Sequence, residues 1–300
     1  MSNFLEHLKQ VIPEENIRLN EPMKNHTTFR IGGNADFFVS VNREQLPQIL
    51  AVAKQDEVPV TIIGNGSNLL VKDGGIRGLV VEIGKDMEDI QLHENCITAG
   101  AGALLSKIAR AAADAGLSGL EFASGIPGSL GGAVVMNAGA YGGEMKQVLV
   151  SAKVLDKDGE EKTLSNEELD LSYRHSCIEE KGYIVVEATI RLNPKEKEQI
   201  FAEMEDIRKR RLEKQPLEFP SAGSTFKRPE GYFAGKLIQD SGLSGASVGG
   251  AQVSEKHNGF VINKGNATAQ DVLTLIENVK KEVYRQFQVE LVPEVKIIGE

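Results

Sequence analysis

Between Gly116 and Gly143, nine of 28 residues are glycine, about three times their share of the whole chain, and they interrupt apolar residues instead of polar ones. That combination excludes a flexible linker, which is polar and rich in glycine and serine. Ile126, Leu130, Val134, Val135 and Met136 call for burial. The backbone here must fold tightly against something, and the missing side chains let it lie along a large flat or elongated ligand. The densest stretch is SGIPGSLGG at 124–132, continued by AVVMNAGAY at 133–141.

A second glycine turn follows the continuously apolar run at 58–63: Gly64, Asn65, Gly66, Ser67, Asn68. Two glycines allow backbone amides to converge on an anion, and Asn65, Ser67 and Asn68 add side-chain donors. An ordinary tight turn accounts for the same residues. A dinucleotide fingerprint of the Rossmann type is excluded, because Leu69 stands where its third glycine belongs and no helical pattern follows. No GxxxxGK[ST] occurs, which excludes P-loop chemistry.

The chain has 300 residues, room for two or three domains. With 41% apolar and 26% charged residues it reads as a soluble globular protein. No apolar run approaches the ~18 residues that cross a bilayer, and the amino terminus carries Glu6, Glu14 and Glu15 in place of a cationic, apolar leader. A cytoplasmic location is expected. A net charge of -9 disfavours nucleic-acid or membrane partners, so any anionic ligand has to be held locally. Cys96 and Cys177 exclude a disulfide framework. The five histidines lack metal-ligand spacing, and neither HExxH nor GxSxG is present, so no metal is expected.

Periodicity predicts an amino-terminal helix ending near Pro13, strands at 35–41, 58–63, 79–83, 97–99, 148–155 and 184–192, and helices at 44–55 and 104–115. Asp156 to Gly159 supplies a hairpin turn. A charged helix at 195–214 is acidic early and basic late, as the helix dipole favours. Beyond it come a Ser/Gly loop at 221–225, a helix at 233–240, a strand at 260–262, a long helix at 269–287 and a last strand at 289–298, interrupted by Pro293. Thr268 with Asp271 forms a capping-box pattern, and Val272, Leu275, Ile276, Val279, Val283 and Phe287 make one stripe. The layout is α+β. Arg208, Lys209, Arg210, Arg211 and Lys214 are the densest positive patch, either a solvated helix end or counter-charge for phosphates.

Taken in order, TIIGNGSNLLV, the segment from AGAGALLSKIARAAADAGLSGLEFASGIPGSLGG to AVVMNAGAYGGE, then YRHS at 173–176, the basic segment 208–216, SAGSTFK at 221–227, AGKLI at 234–238 and PEV at 293–295 resemble the UDP-N-acetylenolpyruvoylglucosamine reductase family, within the vanillyl-alcohol-oxidase-type flavoproteins. The resemblance implies a two-lobed FAD-binding domain of that type and a smaller α+β substrate-binding domain. It divides the chain into a lead-in at 1–24, an FAD-binding domain at 25–194 with lobes at about 25–93 and 94–194, a connecting basic helix at 195–218, and a substrate-binding domain at 219–300 whose final strand returns Glu294 to the site.

The resemblance further implies non-covalent FAD, NADPH as co-substrate and a UDP-sugar whose enolpyruvyl ether is reduced to a lactyl ether. Gly64, Asn65, Gly66, Ser67, Asn68, Gly125, Ile126, Pro127, Gly128, Ser129, Gly131, Gly132, Ala133 and Asn137 fall on its cofactor-binding positions. Arg174, Ser224 and Glu294 fall on its catalytic positions: a carboxylate grip, a proton donor and an enolate stabiliser. Tyr173, Arg211, Lys214, Gly223, Lys227 and Arg228 fall on substrate-binding positions. Longer members carry asparagine at the Arg228 position and an inserted tyrosine segment absent here, which leaves Tyr173 as the candidate to close the site. Two other readings share the glycine segments: a flavin dehydrogenase of the same fold acting on a hydroxy acid or alcohol, and a nucleotide-sugar binding protein without redox activity.

Overall fold

Two separate apolar cores organise the chain. The structure is a computed structural model and describes residues 2–300. By contact the chain forms two units. One comprises the chain up to Leu19, Phe37–Asn65 and Gly78–Arg210; the other comprises Asn20–Asp36, Gly66–Arg77 and Arg211–Glu300. The segments Asn20–Asp36 and Gly66–Arg77, which a linear division groups with the amino-terminal half, thus fold with the carboxyl-terminal one. Among the described residues, no helix is long and apolar enough to cross a membrane.

A four-stranded sheet runs in the order Ile17–Pro22, Asn34–Ser40, Ile76–Glu82, Val60–Ile63, and its last pair is parallel, with Val60 opposite Leu79. The helix Gln45–Gln55 buries Leu46, Ile49 and Ala53, a spacing of three and four that places them on one face. Five strands make the second sheet, in the order Glu161–Ser165, Leu149–Leu155, Ile184–Arg191, Cys96–Gly100, Ile90–His93. Alternate residues of Ile184–Arg191, among them Val186, Ala188 and Ile190, point into the core. The hairpin at Asp156 is closed by that residue's carboxylate, which accepts N–H bonds from Asp158 and Glu160 at 2.9 and 3.0 Å.

The helix Leu105–Asp114 buries Leu105, Ile108, Ala109, Ala112 and Ala113, and its alanines permit close packing. The glycine-rich segment holds an element that its composition conceals: a short helix, Leu130–Val135. Two glycines and two valines are poor helix formers. Tertiary contact overrides them. Leu130 and Gly131 donate their N–H groups to the carbonyls of Ala103 and Ala101, each at 2.8 Å, so two of the orphan donors of the first turn are satisfied by neighbouring backbone.

The second unit is built on the helix Ala269–Phe287, whose Val272, Leu275, Ile276, Val279 and Val283 are buried. Each such side chain contributes about 1.5–3 kcal/mol of burial. Its start is doubly capped. Thr268 Oγ1 accepts the Asp271 N–H and the Asp271 carboxylate accepts the Thr268 N–H, both at 3.0 Å, while the Asp73 carboxylate accepts the N–H groups of Ala269 and Gln270 at 2.8 and 2.9 Å. Three antiparallel strands, Ser247–Val248, Ala251–Val253 and Val261–Asn263, lie in that order.

The terminal strand is shorter than its sequence predicts. Only Lys296–Ile298 forms a ladder, parallel to Leu69–Val71. Residues 289–295 leave it because Pro293 has no N–H to give, and the chain there instead makes an isolated antiparallel bridge between Phe226 and Pro293.

The capping box generates a test. Thr268→Ala should lower stability by about 1 kcal/mol in urea denaturation at neutral pH. N–H bonds from Thr268 and Gly250 hold the Asp271 carboxyl below the usual carboxylate range. Its contribution is therefore present above the ordinary Asp pKa and fades as pH falls through the lowered value. Asp271→Asn should flatten that acid-side loss of stability.

Candidate functional site

In the first unit the two glycine segments meet. The strand Val60–Ile63 delivers Gly64, where a Cβ would lie 2.4 Å from Ser129 Oγ. No side chain fits there. Asn65 donates from Nδ2 to the Pro127 carbonyl and ties the turn to the second loop. Ser129 is buried and stands at the N-cap of Leu130–Val135, yet its hydroxyl makes no capping bond. Leu105 donates its N–H to the Gly128 carbonyl at 3.0 Å, which fixes the loop from its other side.

Around this loop burial changes abruptly. Phe122, Ala123 and Leu130 are buried, whereas Ile126 is half-buried and Pro127 is exposed. Gly132 is exposed, and a Cβ added there would meet only Ser129 Oγ, at 3.7 Å. An apolar, side-chain-poor strip with an uncommitted hydroxyl beside it suits a flat aromatic ring carrying polar groups. The residues present therefore fit a flavin nucleotide.

Asn137 ends the short helix in a left-handed conformation, φ +40°, at 1% exposure. Its amide nitrogen donates to Ser172 O at 3.0 Å and Glu144 Oε2 at 3.1 Å, and its Oδ1 accepts the Lys146 N–H at 2.8 Å. Those bonds bring the segment of Arg174 alongside. Arg174 donates to the Gly139 carbonyl at 3.3 Å, and its guanidinium lies 5.1 Å from the centre of the Tyr173 ring, a side chain that is half exposed.

In the second unit, Ser224 and Glu294 are neighbours through backbone pairing. Thr225, the residue after Ser224, accepts the Glu294 N–H at 2.8 Å and donates its own N–H to Gly259 O at 2.8 Å. The Thr225 hydroxyl, buried, accepts the Val261 N–H at 2.9 Å. Asn68 Nδ2 donates to the Glu294 carbonyl at 3.2 Å, which links the Asn68 end of the Gly64–Asn68 turn to the same place. Gly223 is left-handed, φ +75°, with no atom within 4 Å of where a Cβ would stand. Burial pushes the His257 imidazole below its ordinary pKa, and its Nδ1 accepts the N–H of Gly259, whose carbonyl pairs with Thr225, at 3.2 Å.

Gly66 belongs to this unit as well: a Cβ would fall 2.0 Å from the His26 carbonyl oxygen, and φ is +59°. Lys227 is paired through its backbone N–H with Val292 O at 2.8 Å. Arg228 donates from Nε to Tyr232 O at 3.3 Å and stacks 4.0 Å from the centre of the Phe233 ring. Lys214, at the end of the helix Lys197–Lys214, is exposed. Thr225 and Thr28, whose hydroxyl donates to Ser221 O at 2.7 Å, hold the Ser224 loop, and neither was read from the sequence as part of it. No spacing marks them, because both act across long separations in the chain.

Two family models match the chain: an FAD binding domain over residues 37–165 and the UDP-N-acetylenolpyruvoylglucosamine reductase C-terminal domain over residues 215–298. A UDP-N-acetylenolpyruvoylglucosamine reductase of Agathobacter rectalis is 60% identical over 99% of this chain and 98% of its own length. The chain belongs to the UDP-N-acetylenolpyruvoylglucosamine reductase family. A relative of that name from Clostridium perfringens is 55% identical across 100% of this chain and 99% of its own. The crystal structure of the Thermus caldophilus reductase superposes with a TM-score of 0.81 at 37% identity, covering 94% of this chain and 98% of that one.

Within the reductase family framework, the FAD-binding model covers Gly64 to Asn68 and the whole 124–141 segment, while the C-terminal model contains Ser224 and Glu294. The fold is α+β, an FAD-binding domain joined to the reductase C-terminal domain.

The contact at Gly64 is testable by relief of a clash. Gly64→Ala should destabilise the protein by about 1–3 kcal/mol, as overpacking does. Adding Ser129→Ala removes the atom in the way and should recover most of the loss in thermal unfolding. Gly66→Ala faces backbone and should have no such rescue.

Proposed function

We propose that this chain is an FAD-containing oxidoreductase that uses NADPH to reduce UDP-N-acetylglucosamine enolpyruvate to UDP-N-acetylmuramate, in peptidoglycan precursor synthesis. Full-length membership of the reductase family carries the reading. The C-terminal domain match over 215–298 favours it over a flavin dehydrogenase acting on a hydroxy acid or alcohol. The work is done in the cytoplasm, where its nucleotide-linked substrate and NADPH are available, and the ligands are small molecules.

Gly64 to Asn68, 125–129 and Gly131 to Ala133 would hold FAD without a covalent bond, and that group would supply the relay of a hydride from NADPH to the vinyl carbon of the substrate. Negative charge then develops on the adjacent carbon and its carboxylate. Arg174 grips that carboxylate: a guanidinium is permanently charged and presents two parallel donors. Ser224 gives its Oγ proton to the carbanionic carbon. A hydroxyl is a weak acid in water, but the enolate is strongly basic, and Gly223 leaves the approach to the hydroxyl open. Glu294, on backbone paired with Thr225, stabilises the enolate.

Lys214, Arg211, Lys227 and Arg228 supply counter-charge to the substrate diphosphate, a local requirement in a chain of net charge -9. Tyr173, half exposed beside Arg174, closes over the sugar in place of the tyrosine segment found in longer members.

Anaerobic titration of the purified protein tests this. NADPH should bleach the flavin colour and the enolpyruvyl UDP-sugar should restore it. Ser224→Ala should still bleach with NADPH while turnover of the sugar drops at least about 100-fold, the scale of a lost proton donor. Normal turnover by that variant would remove Ser224 from the mechanism.

A further inference from the structure

Arg174 is held in a shape that it would not keep alone. Ser172 and His175 exchange both backbone hydrogen bonds, at 3.2 Å each, so Tyr173 and Arg174 form the two-residue tip of a minimal hairpin. At that tip Arg174 is left-handed, φ +55°. A residue bearing a β-carbon resists that region, and it persists where surrounding structure over-determines it.

Two buried polar side chains do so here. Asn137 donates to the carbonyl of Ser172, just before the tip, at 3.0 Å. Ser176, just beyond it and 3% exposed, donates from Oγ to the Val135 carbonyl at 2.7 Å. Both anchors lead to the same place, the carboxyl end of the helix Leu130–Val135. The second donor of Asn137 goes to Glu144, so both its N–H groups are spent inside the protein. The Arg174 guanidinium in turn donates to Gly139, two residues beyond Asn137.

We propose that Asn137 is a positioning residue for the carboxylate grip: with Ser176 as second anchor, it fixes the Tyr173–Arg174 tip and so aims the Arg174 guanidinium. The proposal rests on the function given above, in which Arg174 holds the carboxylate of the substrate. It turns a residue on a cofactor-binding position into one that acts through Arg174. The side chain suits the task. Asparagine tolerates a left-handed backbone better than most residues, and its planar amide reaches Ser172, Glu144 and Lys146 at once. A guanidinium aimed in advance loses little freedom on binding.

The test uses the full-length flavoprotein, with reduction by NADPH and reoxidation by the enolpyruvyl sugar followed separately by anaerobic stopped flow. Asn137→Asp keeps the acceptor for Lys146 and removes the donors. It should slow reoxidation about 100-fold, the scale of an ångström of misplacement, and slow reduction at least about tenfold less than that. Ser176→Ala should act in the same direction, and takes its place if Asn137→Asp does not fold. In an Arg174→Ala background either change should alter reoxidation by less than about twofold, because no guanidinium remains to be aimed.

Hydrogen exchange gives a readout that does not depend on turnover: the amides of Ser172 and His175 should exchange faster in Asn137→Asp. Equal losses in the Arg174 and Arg174→Ala backgrounds overturn the proposal. So does flavin loss with unchanged exchange at Ser172 and His175, which would mean direct contact with the cofactor. Failure of the sugar to reoxidise the unaltered protein would sink the functional reading instead, while the exchange result would still decide the clamp.

Discussion

Backbone laid directly against backbone or against a small side chain is the constraint on which the first unit depends. The helix Leu130–Val135 begins where Leu130 and Gly131 hand their N–H groups to Ala103 and Ala101. A Cβ at Gly131 would already touch Ala101 Cβ at 3.0 Å. From that docking follow the left-handed turn at Asn137, the hairpin Gly139–Glu144 and the seat of Arg174. A larger residue at this contact would not be a local fault, since it would displace the whole series.

The second unit solves a different problem. Ser224 and Glu294, the proposed proton donor and enolate stabiliser, come from distant parts of the sequence, and neither sits in a regular ladder. Their spacing is set by single backbone bonds on either side of Thr225, and by Asn68 below Glu294. Such pairing fixes where the main chain runs through backbone groups of Thr225 and Glu294 alone. Pro293, which has no N–H to extend a ladder, pairs with Phe226 only as an isolated bridge one residue before Glu294.

Much of this was legible in the sequence. The long helix at Ala269–Phe287 and its cap could be read directly, because a 3.6-residue stripe and a Thr/Asp pair are local signals. The strands Asn34–Ser40, Leu149–Leu155 and Ile184–Arg191 were visible as apolar runs. The edge strand Ile17–Pro22 was not, since its residues are largely exposed and carry no alternation. The helix Leu130–Val135 was hidden for the opposite reason: its propensity argues against it and only tertiary contact makes it. The proposed catalytic positions stood out through resemblance and not through spacing. An isolated glutamate after a proline, or a serine in a Ser/Gly loop, has no signature of its own. The residues that hold them, Thr225, Asn68 and Ser176, act over long separations and leave no local pattern.

The interleaving of the second unit bears on how the chain matures. Its core takes Phe29, Ile31 and Leu70 from early segments and Val272, Leu275 and Val283 from the last helix. Leu69–Val71 finds its parallel partner only in Lys296–Ile298, and Asp73 waits for Ala269 and Gln270. On a ribosome adding roughly 5–20 residues per second, those early strands stay unpaired on the order of ten seconds or more. Lys296–Ile298 must be made before this half can close, so the newborn polypeptide carries an unfinished sheet edge while the intervening stretch, roughly three-quarters of this sequence, is added.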